Sequence, residues 1–332
     1  MTVKTSSKQT HYTSVASESD APDSSHKTGL SASVLRRLSM VSPHRTSAAI
    51  AFDWMVIVCC FVLSINFRHP AVWIVSAVVI AARQHALLIL MHDGSHFRLL
   101  RNHGWNDRVS NWLCAWPLLV TTGGYRQNHL AHHSHLNTDD DPDWIRKYGH
   151  ADWDFPKSRR DIVLLLLREL CGGGFLQALS SIRDLSGRKL NAGKNQGRKW
   201  ERIAYYALAA VGISLFKMWV PVLLLWFLPA FTLLTVILRI RSIAEHFGIE
   251  GEHELNMSRN VHCRWWERFL LAPHNSGYHL DHHLYPSVPF YYLPELHAEL
   301  MTVPAYSATS HQTYGFTPSS RSSFLEEITR DE

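Results

Sequence analysis

The stretch AVWIVSAVVIAARQHALLILMHDGSH, Ala71–His96, joins a long apolar segment directly to two histidines. Its apolar part, Ala71–Met91, is about long enough to cross a hydrocarbon core, which takes roughly 20 mostly apolar residues. His92 and His96 follow at i and i+4, so both lie on one helical face if the helix continues past the membrane surface. The stretch therefore predicts a membrane-spanning helix that carries two imidazoles at its end.

Three further apolar segments indicate membrane spans. Ala48–Ile65 forms a hairpin with the opening stretch, and Ile203–Phe216 forms a second hairpin with Trp219–Ile240. Ile203–Phe216 is short for a span. The sequence predicts an all-α integral membrane protein with four transmembrane helices in two hairpins.

Two other apolar segments are unsuited to crossing a membrane. Asn111–Thr122 is too short and carries two tryptophans, which favours a re-entrant or interfacial segment. Ile162–Leu179 is interrupted by charged residues and glycines, so we expect it to lie on the membrane surface.

The distribution of basic residues predicts the orientation. Of the 33 Lys and Arg residues, seventeen lie between His92 and Arg202, whereas the opposite side holds little beyond Arg68 and Lys217. By the positive-inside rule the basic side is cytoplasmic. We therefore expect cytoplasmic termini and a cytoplasmic helical cap that contains the histidine motifs.

Composition divides the chain into three parts. Residues 1–45 are rich in Ser, Thr and Lys and lack an apolar signal core, so they are predicted to be a disordered cytoplasmic tail. Residues 46–303 form the membrane domain. Residues 304–332 are again rich in Ser and Thr and are expected to be a flexible C-terminal tail.

Several functions are excluded by composition. The five cysteines include no C-x-x-C pair, which argues against a disulfide framework, a zinc ribbon and a fused rubredoxin. No nucleic-acid partner is expected, because the aromatic residues lie in apolar segments rather than on a polar stacking platform. The 22 histidines are the feature to explain.

The histidines recur in one pattern. NHLAHH, Asn128–His133, and YHLDHH, Tyr278–His283, each place three histidines at i, i+3 and i+4, which converge on one side of a helix. His246 follows the last span and returns to the same compartment. Nine imidazoles could therefore face one site: His92, His96, His129, His132, His133, His246, His279, His282 and His283.

Nine nitrogen donors are more than one metal ion needs. A structural zinc takes four ligands and a catalytic zinc three, so two metal ions fit better, although imidazole alone does not choose iron over zinc, copper or nickel. Nearby polar residues are natural partners for the outer ring nitrogens of the ligands. These candidates are Asp93, Asn128, Asp139–Asp141, Glu245 and Asp281.

HDGSH, HLAHH and HLDHH resemble the three histidine boxes of the membrane fatty-acid desaturase superfamily, which includes hydroxylases and ketolases. The resemblance extends from about Phe52 to Pro294, and the stretches LNTDDDPDW and YPSVPFYYLP that follow the second and third boxes are also similar. It implies a desaturase-like domain with a non-haem di-iron centre bound by the nine histidines. It also implies O2 as co-substrate and oxidation of unactivated C–H bonds of a lipid chain.

The resemblance leaves the reaction and the substrate open. A fatty-acyl desaturase is the first hypothesis, and a hydroxylase or ketolase of a fatty-acyl or carotenoid substrate is the alternative. Electrons must come from a separate ferredoxin, rubredoxin or cytochrome. The basic segment Arg183–Arg202 could dock an acidic donor, or it could be solvated charge that sets the topology.

Two other histidines have open roles. His85 lies inside a span, on the same face as His92, and could line the substrate path or hydrogen-bond between helices. His274, just upstream of the third box, could contact a metal ligand.

Two other functions compete. A bis-histidine haem carrier would place its histidines within the bilayer, and a metal transporter would place ligands at the membrane midplane. The histidine motifs here follow the apolar segments instead.

Overall fold

The structure, a computed structural model, describes residues 29–175, 179, 197–249, 251, 253–318 and 321–330. Most of the predicted N-terminal tail and of the basic segment Arg183–Arg202 lies outside the described residues. Ser31 caps the helix Ala32–Leu38, and Leu38 is fully buried.

The described residues are mostly helical. The α-helices are Ala32–Leu38, Pro43–Phe67, Pro70–Ser95, His103–Ser110, Thr122–Ser134, Arg159–Arg168, Gly197–Leu215, Trp219–Val222, Leu228–Phe231, Leu233–His246, Trp265–Leu270, His279–Leu284, Leu293–Leu300, Pro304–Thr309 and Phe324–Ile328. Short 3-10 or π-helical turns are Asn111–Ala115, Trp116–Leu118, Ala151–Trp153, Glu169–Gly173, Leu223–Phe227, Pro273–Asn275 and Phe290–Tyr292. The strands are Arg259–Val261 and His311–Thr313.

Three helices of the described residues are long and apolar enough to cross a membrane. They are Pro43–Phe67, Pro70–Ser95 and Trp219–His246, here called the first, second and third spans. The predicted fourth span lies in the helix Gly197–Leu215, whose first turns carry Arg198, Lys199, Glu201 and Arg202. The second hairpin therefore stays a prediction.

The second span is the centre of the molecule. In its apolar part 67% of the residues are buried, against 28% for the first span and 22% for the third. It packs against both other spans and against the helix Thr122–Ser134. Arg68, in the left-handed conformation, ends the first span, and Pro70 starts the second, so the two form a tight hairpin. The helix with the first histidines is thus held on several sides.

The two surface segments differ from regular long helices. Asn111–Ala115 is a π-helical turn followed by the 3-10 turn Trp116–Leu118, and Trp116 is buried. Arg159–Arg168 buries Ile162 and Leu165 but exposes Val163 and Leu164. An exposed apolar row of this kind suits a helix that lies along a membrane surface.

The C-terminal segment folds onto the rest of the chain, unlike the flexible tail predicted from its composition. His311–Thr313 pairs in parallel with Arg259–Val261, and this two-stranded sheet is a departure from the all-α expectation. Phe324 and Ile328 are buried beside Phe247. Few but large apolar residues anchor a segment whose Ser and Thr content suggested disorder.

Candidate metal centre

The first box lies where the second span ends. His92 is in its last turn, and His96 caps it. Gly94 allows the close approach of a neighbouring helix, because an added Cβ would lie 2.3 Å from Ser110 Oγ. Arg126 donates to the carbonyls of Ser95 at 2.7 Å and Gly94 at 3.0 Å. The helix end and its histidines are therefore fixed by the helix of the second box.

The second and third boxes lie on two separate helices. Thr121 caps the helix Thr122–Ser134, accepting from Gly124 N at 3.1 Å, and the box occupies its last turns. The third box forms most of the short helix His279–Leu284. His246 is the last residue of the third span.

The nine predicted histidines meet as two groups. One is the five-histidine cluster, His92, His96, His129, His133 and His282, and the other is the four-histidine cluster, His132, His246, His279 and His283. Within each group the candidate ligand atoms lie within 4.8 Å of one another. The groups are adjacent, since the rings of His133 and His283 are 4.3 Å apart.

Helix geometry explains how the second and third boxes divide. The i and i+4 residues of the second box, His129 and His133, enter the five-histidine cluster, and the i+3 residue His132 enters the other. In the third box the i and i+4 residues His279 and His283 enter the four-histidine cluster. Residues four apart are neighbours on one helical face, so each pair serves one site while the third residue bridges to the next.

The nitrogen spacing fits a ligand shell. His129 Nε2 lies 2.9 Å from His96 Nε2 and 3.0 Å from His133 Nε2, and His279 Nε2 lies 2.9 Å from His246 Nε2. Two nitrogens bound at about 2.1 Å and at right angles to each other would lie about 3.0 Å apart. The two clusters therefore have the donors and the spacing to hold one metal ion each.

Several outer ring nitrogens face oxygen atoms. His132 Nδ1 lies 2.8 Å from Asp141 Oδ2, whereas His92 Nδ1 lies 3.4 Å from Asp93 Oδ1 and His279 Nδ1 lies 3.4 Å from Glu245 Oε1. Partners of this kind fix the ring orientation and the tautomer of a metal-binding imidazole. Of the predicted acidic run Asp139–Asp141, it is Asp141 that makes this contact.

Tyr125, which the sequence did not single out, contacts the outer ring nitrogen of His129. The Tyr125 hydroxyl lies 3.4 Å from His129 Nδ1, one helical turn before it. The i, i+4 spacing on a predicted helix was the available signal.

Burial keeps several of these histidines neutral. Burial lowers the pKa of His96 to about 4 and that of His133 to about 2. The pKa values of His129, His279, His282 and His283 are also lowered, by burial first and then by the neighbouring imidazoles. Neutral imidazole is the form that binds metal, so the site is prepared for cations near neutral pH.

Asp281 is buried between the third-box histidines but contacts other residues. It accepts from Asn260 Nδ2 at 2.9 Å and from the Tyr306 hydroxyl, and its other oxygen lies 2.9 Å from His297 Nδ1. Burial and the Asp281 carboxylate raise the pKa of the Tyr306 phenol, which keeps it a donor. Asp281 therefore ties the third-box helix to the C-terminal segment. Sequence spacing gave no signal for Asn260 or Tyr306.

The remaining predicted residues lie farther from the ligands. His274 Nε2 contacts Asp53 Oδ2 at 2.7 Å rather than a metal ligand. His85 is fully buried, and its two ring nitrogens have no hydrogen-bond partner among the described residues. It is not among the residues that line the main cavity, whereas Asn128 is.

A cavity of about 370 Å³ adjoins the clusters. His129, His132, His246 and His279 reach its surface. Its apolar lining includes Leu88, Met91, Leu118, Trp226, Phe227 and Phe231. Pockets of this size and character accept small ligands or part of a chain.

Charged residues line another part of the same cavity. They occur as ion pairs, with Asp143 beside Lys147, Arg239 2.6 Å from Glu169 and Arg241 2.5 Å from Glu245. The cavity is therefore amphiphilic, and a bound molecule would meet both apolar side chains and fixed charges.

Comparison with known proteins agrees with this geometry. A family model described as fatty acid desaturase matches residues 68–315. The chain is 25% identical over 286 residues to dihydrorhizobitoxine desaturase of Bradyrhizobium elkanii, covering 82% of this chain and 80% of that protein. It is 22% identical over 265 residues to beta-carotene ketolase of a Paracoccus species, covering 75% of this chain and 89% of that protein. The family match includes all nine histidines and spans more than half of the sequence, and the chain belongs to the fatty acid desaturase family.

Proposed function

We propose that the protein is an O2-dependent membrane oxidoreductase with a di-iron centre that desaturates a lipid chain. The observation that carries this proposal is the pair of adjacent histidine clusters, five and four residues, at the surface of an apolar cavity. Membership of the fatty acid desaturase family and similarity to a protein named as a desaturase support the reaction class.

The nine histidines would hold the iron ions, which with two electrons and O2 would supply the oxidant that removes hydrogen from an unactivated C–H bond. The protein's own residues orient the histidine rings and hold the substrate. Asp141 fixes the His132 ring, and the cavity wall of Trp226 and Phe231 holds the substrate and excludes water. Positioning of this kind supplies a large share of the rate when the reacting atoms are held in line.

The cavity supports a substrate that is apolar over most of its length and polar at one end. Methylene groups would pack against the apolar lining, and an ester, carboxylate or similar group would face the ion pairs. A wholly apolar molecule would leave those charges against hydrocarbon, which is unfavourable. A fatty-acyl chain on a carrier or lipid meets these requirements.

Hydroxylation or ketolation is the second candidate, because two beta-carotene ketolases are among the relatives. A ketolase of a carotenoid substrate would use the same histidines and would place an end ring in the cavity.

The finer topology is part of the proposal. Four spans in two hairpins, cytoplasmic termini and a cytoplasmic metal site are supported by the distribution of Lys and Arg. Residues 46–303 would form the desaturase-like domain, and a separate ferredoxin, rubredoxin or cytochrome would supply the electrons.

Two measurements test the function. Purified protein should contain about two iron ions per chain, one for each cluster, and should lack a haem Soret band; a haem spectrum would favour the electron-carrier alternative. Expression with matched redox partners, followed by mass spectrometry of total lipid, distinguishes loss of two hydrogens, gain of one oxygen and a changed carotenoid profile. No change in any lipid would contradict the proposal.

A further inference from the structure

Asp53 is a carboxylate inside the first span and is fully buried. Its Oδ1 accepts from Arg83 Nη1 of the second span at 2.9 Å, and Arg83 is 2% exposed. A charge within an apolar span is costly unless it is paired, and an ionisable residue there is a candidate for a functional role. The pairing with Arg83 explains how Asp53 is tolerated.

The second carboxylate oxygen of Asp53 contacts a residue outside the first two spans. Asp53 Oδ2 lies 2.7 Å from His274 Nε2, in the turn Pro273–Asn275 that precedes the third box. Arg83 also contacts this region, donating to the Phe269 carbonyl and lying 4.2 Å from its ring centre. Residues of the first two spans thus contact the segment that leads into the third-box helix.

The turn Pro273–Asn275 has an unfavourable backbone conformation. His274 and Asn275 have φ values of 52° and 58°, a conformation that non-glycine residues adopt rarely. The surrounding contacts must therefore hold it. Asp53 holds His274, and Asn275 Nδ2 donates to the Phe290 carbonyl at 2.9 Å.

From Phe290 the contacts continue to a metal ligand. Phe290 N donates to Asp93 Oδ2 at 2.9 Å, and the other oxygen of Asp93 lies 3.4 Å from His92 Nδ1. His279 follows His274 of this turn by five residues. Contacts therefore link Asp53 to His92 of the five-histidine cluster, and the backbone after the turn leads to His279 of the four-histidine cluster.

We propose that Asp53 is a positioning residue for the metal centre, acting through His274 to hold the turn Pro273–Asn275 against the first two spans. The proposal rests on the proposed metal-binding function. It assigns a role to a membrane-embedded residue that contacts none of the nine histidines. The competing explanation is that Asp53 only neutralises Arg83.

Substitutions at His274 separate these explanations, because they leave the Asp53–Arg83 pair intact. His274→Ala removes the contact with Asp53 and places alanine in the left-handed conformation. His274→Asn keeps an N–H donor in a residue that tolerates this conformation. Ser64→Ala is the matched control: Ser64 is also fully buried in the first span and bonds Ser76 of the second at 2.9 Å, away from the third box.

The readout is Co²⁺ binding to the detergent-solubilised, metal-depleted full chain, followed by its visible absorption spectrum and by thermal unfolding. We expect His274→Ala and Asp53→Asn to weaken Co²⁺ binding about tenfold and to change the spectrum. His274→Asn should bind within about threefold of the wild type, and Ser64→Ala should match it. In the double variant Asp53→Asn/His274→Ala, the loss should not exceed that of the larger single variant, because the contact between Asp53 and His274 is already disrupted in either single variant.

A His274→Ala protein with wild-type affinity and spectrum would overturn the inference and leave Asp53 as a charge partner only. The His274→Ala measurement remains decisive even if Asp53→Asn fails to fold. The proposed function fails separately, if the wild-type chain itself does not bind two Co²⁺ ions.

Discussion

The two histidine clusters use the same type of ligand in different surroundings. The four-histidine cluster contributes His132, His246 and His279 to the cavity surface, whereas the five-histidine cluster contributes His129. The five-histidine cluster includes the whole first box and lies under the end of the second span. The comparison indicates that an ion held by the four-histidine cluster would lie at the cavity surface, whereas an ion held by the five-histidine cluster would be more enclosed.

The clusters also differ in the shortest distance between a histidine ring nitrogen and its oxygen partner. His132 of the four-histidine cluster has a carboxylate partner at 2.8 Å, Asp141, and Asp141 also accepts from the backbone N–H of Asn137 at 3.1 Å and Asp143 at 2.8 Å. His279 of the same cluster lies farther from its partner Glu245, at 3.4 Å, and the contacts of the five-histidine cluster with Asp93 and Tyr125 are also 3.4 Å. A short contact to a fixed carboxylate orients an imidazole better than a long one.

The largest expected effect is removal of a ligand. His132→Ala should abolish turnover, lower bound iron and leave membrane insertion intact, because it reduces the smaller cluster to three imidazoles. His96→Ala leaves four imidazoles in the larger cluster and should retain more metal. Metal analysis of both purified variants tests this difference, and unchanged activity of His132→Ala would count strongly against the metal site.

The next effect comes from the residues behind the ligands. Asp141→Asn should lower metal affinity or turnover about 10- to 100-fold, since the His132 ring loses its carboxylate partner. Tyr125→Phe removes one oxygen from a 3.4 Å contact and should change either quantity about threefold or less. Metal titration of the two metal-depleted variants measures both affinities. Equal losses would contradict the expectation that the 2.8 Å contact of Asp141 matters more than the 3.4 Å contact of Tyr125.

A smaller effect is expected from a residue that serves both clusters. Tyr306→Phe removes one donor from the buried Asp281, which lies between His279 and His282, and should lower the free energy of unfolding by about 1–3 kcal/mol. Thermal unfolding in detergent measures the change. Because His279 and His282 belong to different clusters, metal loss confined to one cluster would contradict this shared role.

The smallest effect near neutral pH is that of pH itself. The folded chain lowers the pKa of His96 to about 4 and of His133 to about 2, whereas the unfolded chain binds these protons near pH 6.5. The stability of the metal-free protein should therefore be flat above about pH 6.5 and fall as the pH drops toward about 4. Unfolding temperatures between about pH 8 and pH 4 test the sign, and rising stability on acidification would contradict the burial of these imidazoles.

Periodicity and composition predicted much of the site and of the membrane core. The apolar segments around Ala71–Met91 and Trp219–Ile240 coincide with the second and third spans, and the family predicted from the three boxes is confirmed. The nine predicted ligands lie together in the structure. These features could be predicted because helix period and ligand spacing are local properties of a sequence.

Other features depended on contacts between distant residues. The C-terminal segment looked flexible because its anchors, such as Phe324, are few and widely spaced. Among the predicted acidic partners, Asp141 approaches a ligand, whereas Asp281 binds Asn260 and Tyr306. Which of several nearby carboxylates makes a contact depends on how helices pack.

The sequence by itself determined that the chain has long apolar segments, that histidines recur at i, i+3 and i+4, and that basic residues concentrate between His92 and Arg202. The tertiary structure alone decided that those boxes divide into clusters of five and four, and that Asp53 of the first span reaches the turn before the third box. The physical reason is that spacing along a helix fixes which side chains share a face, but only packing between helices fixes which faces meet.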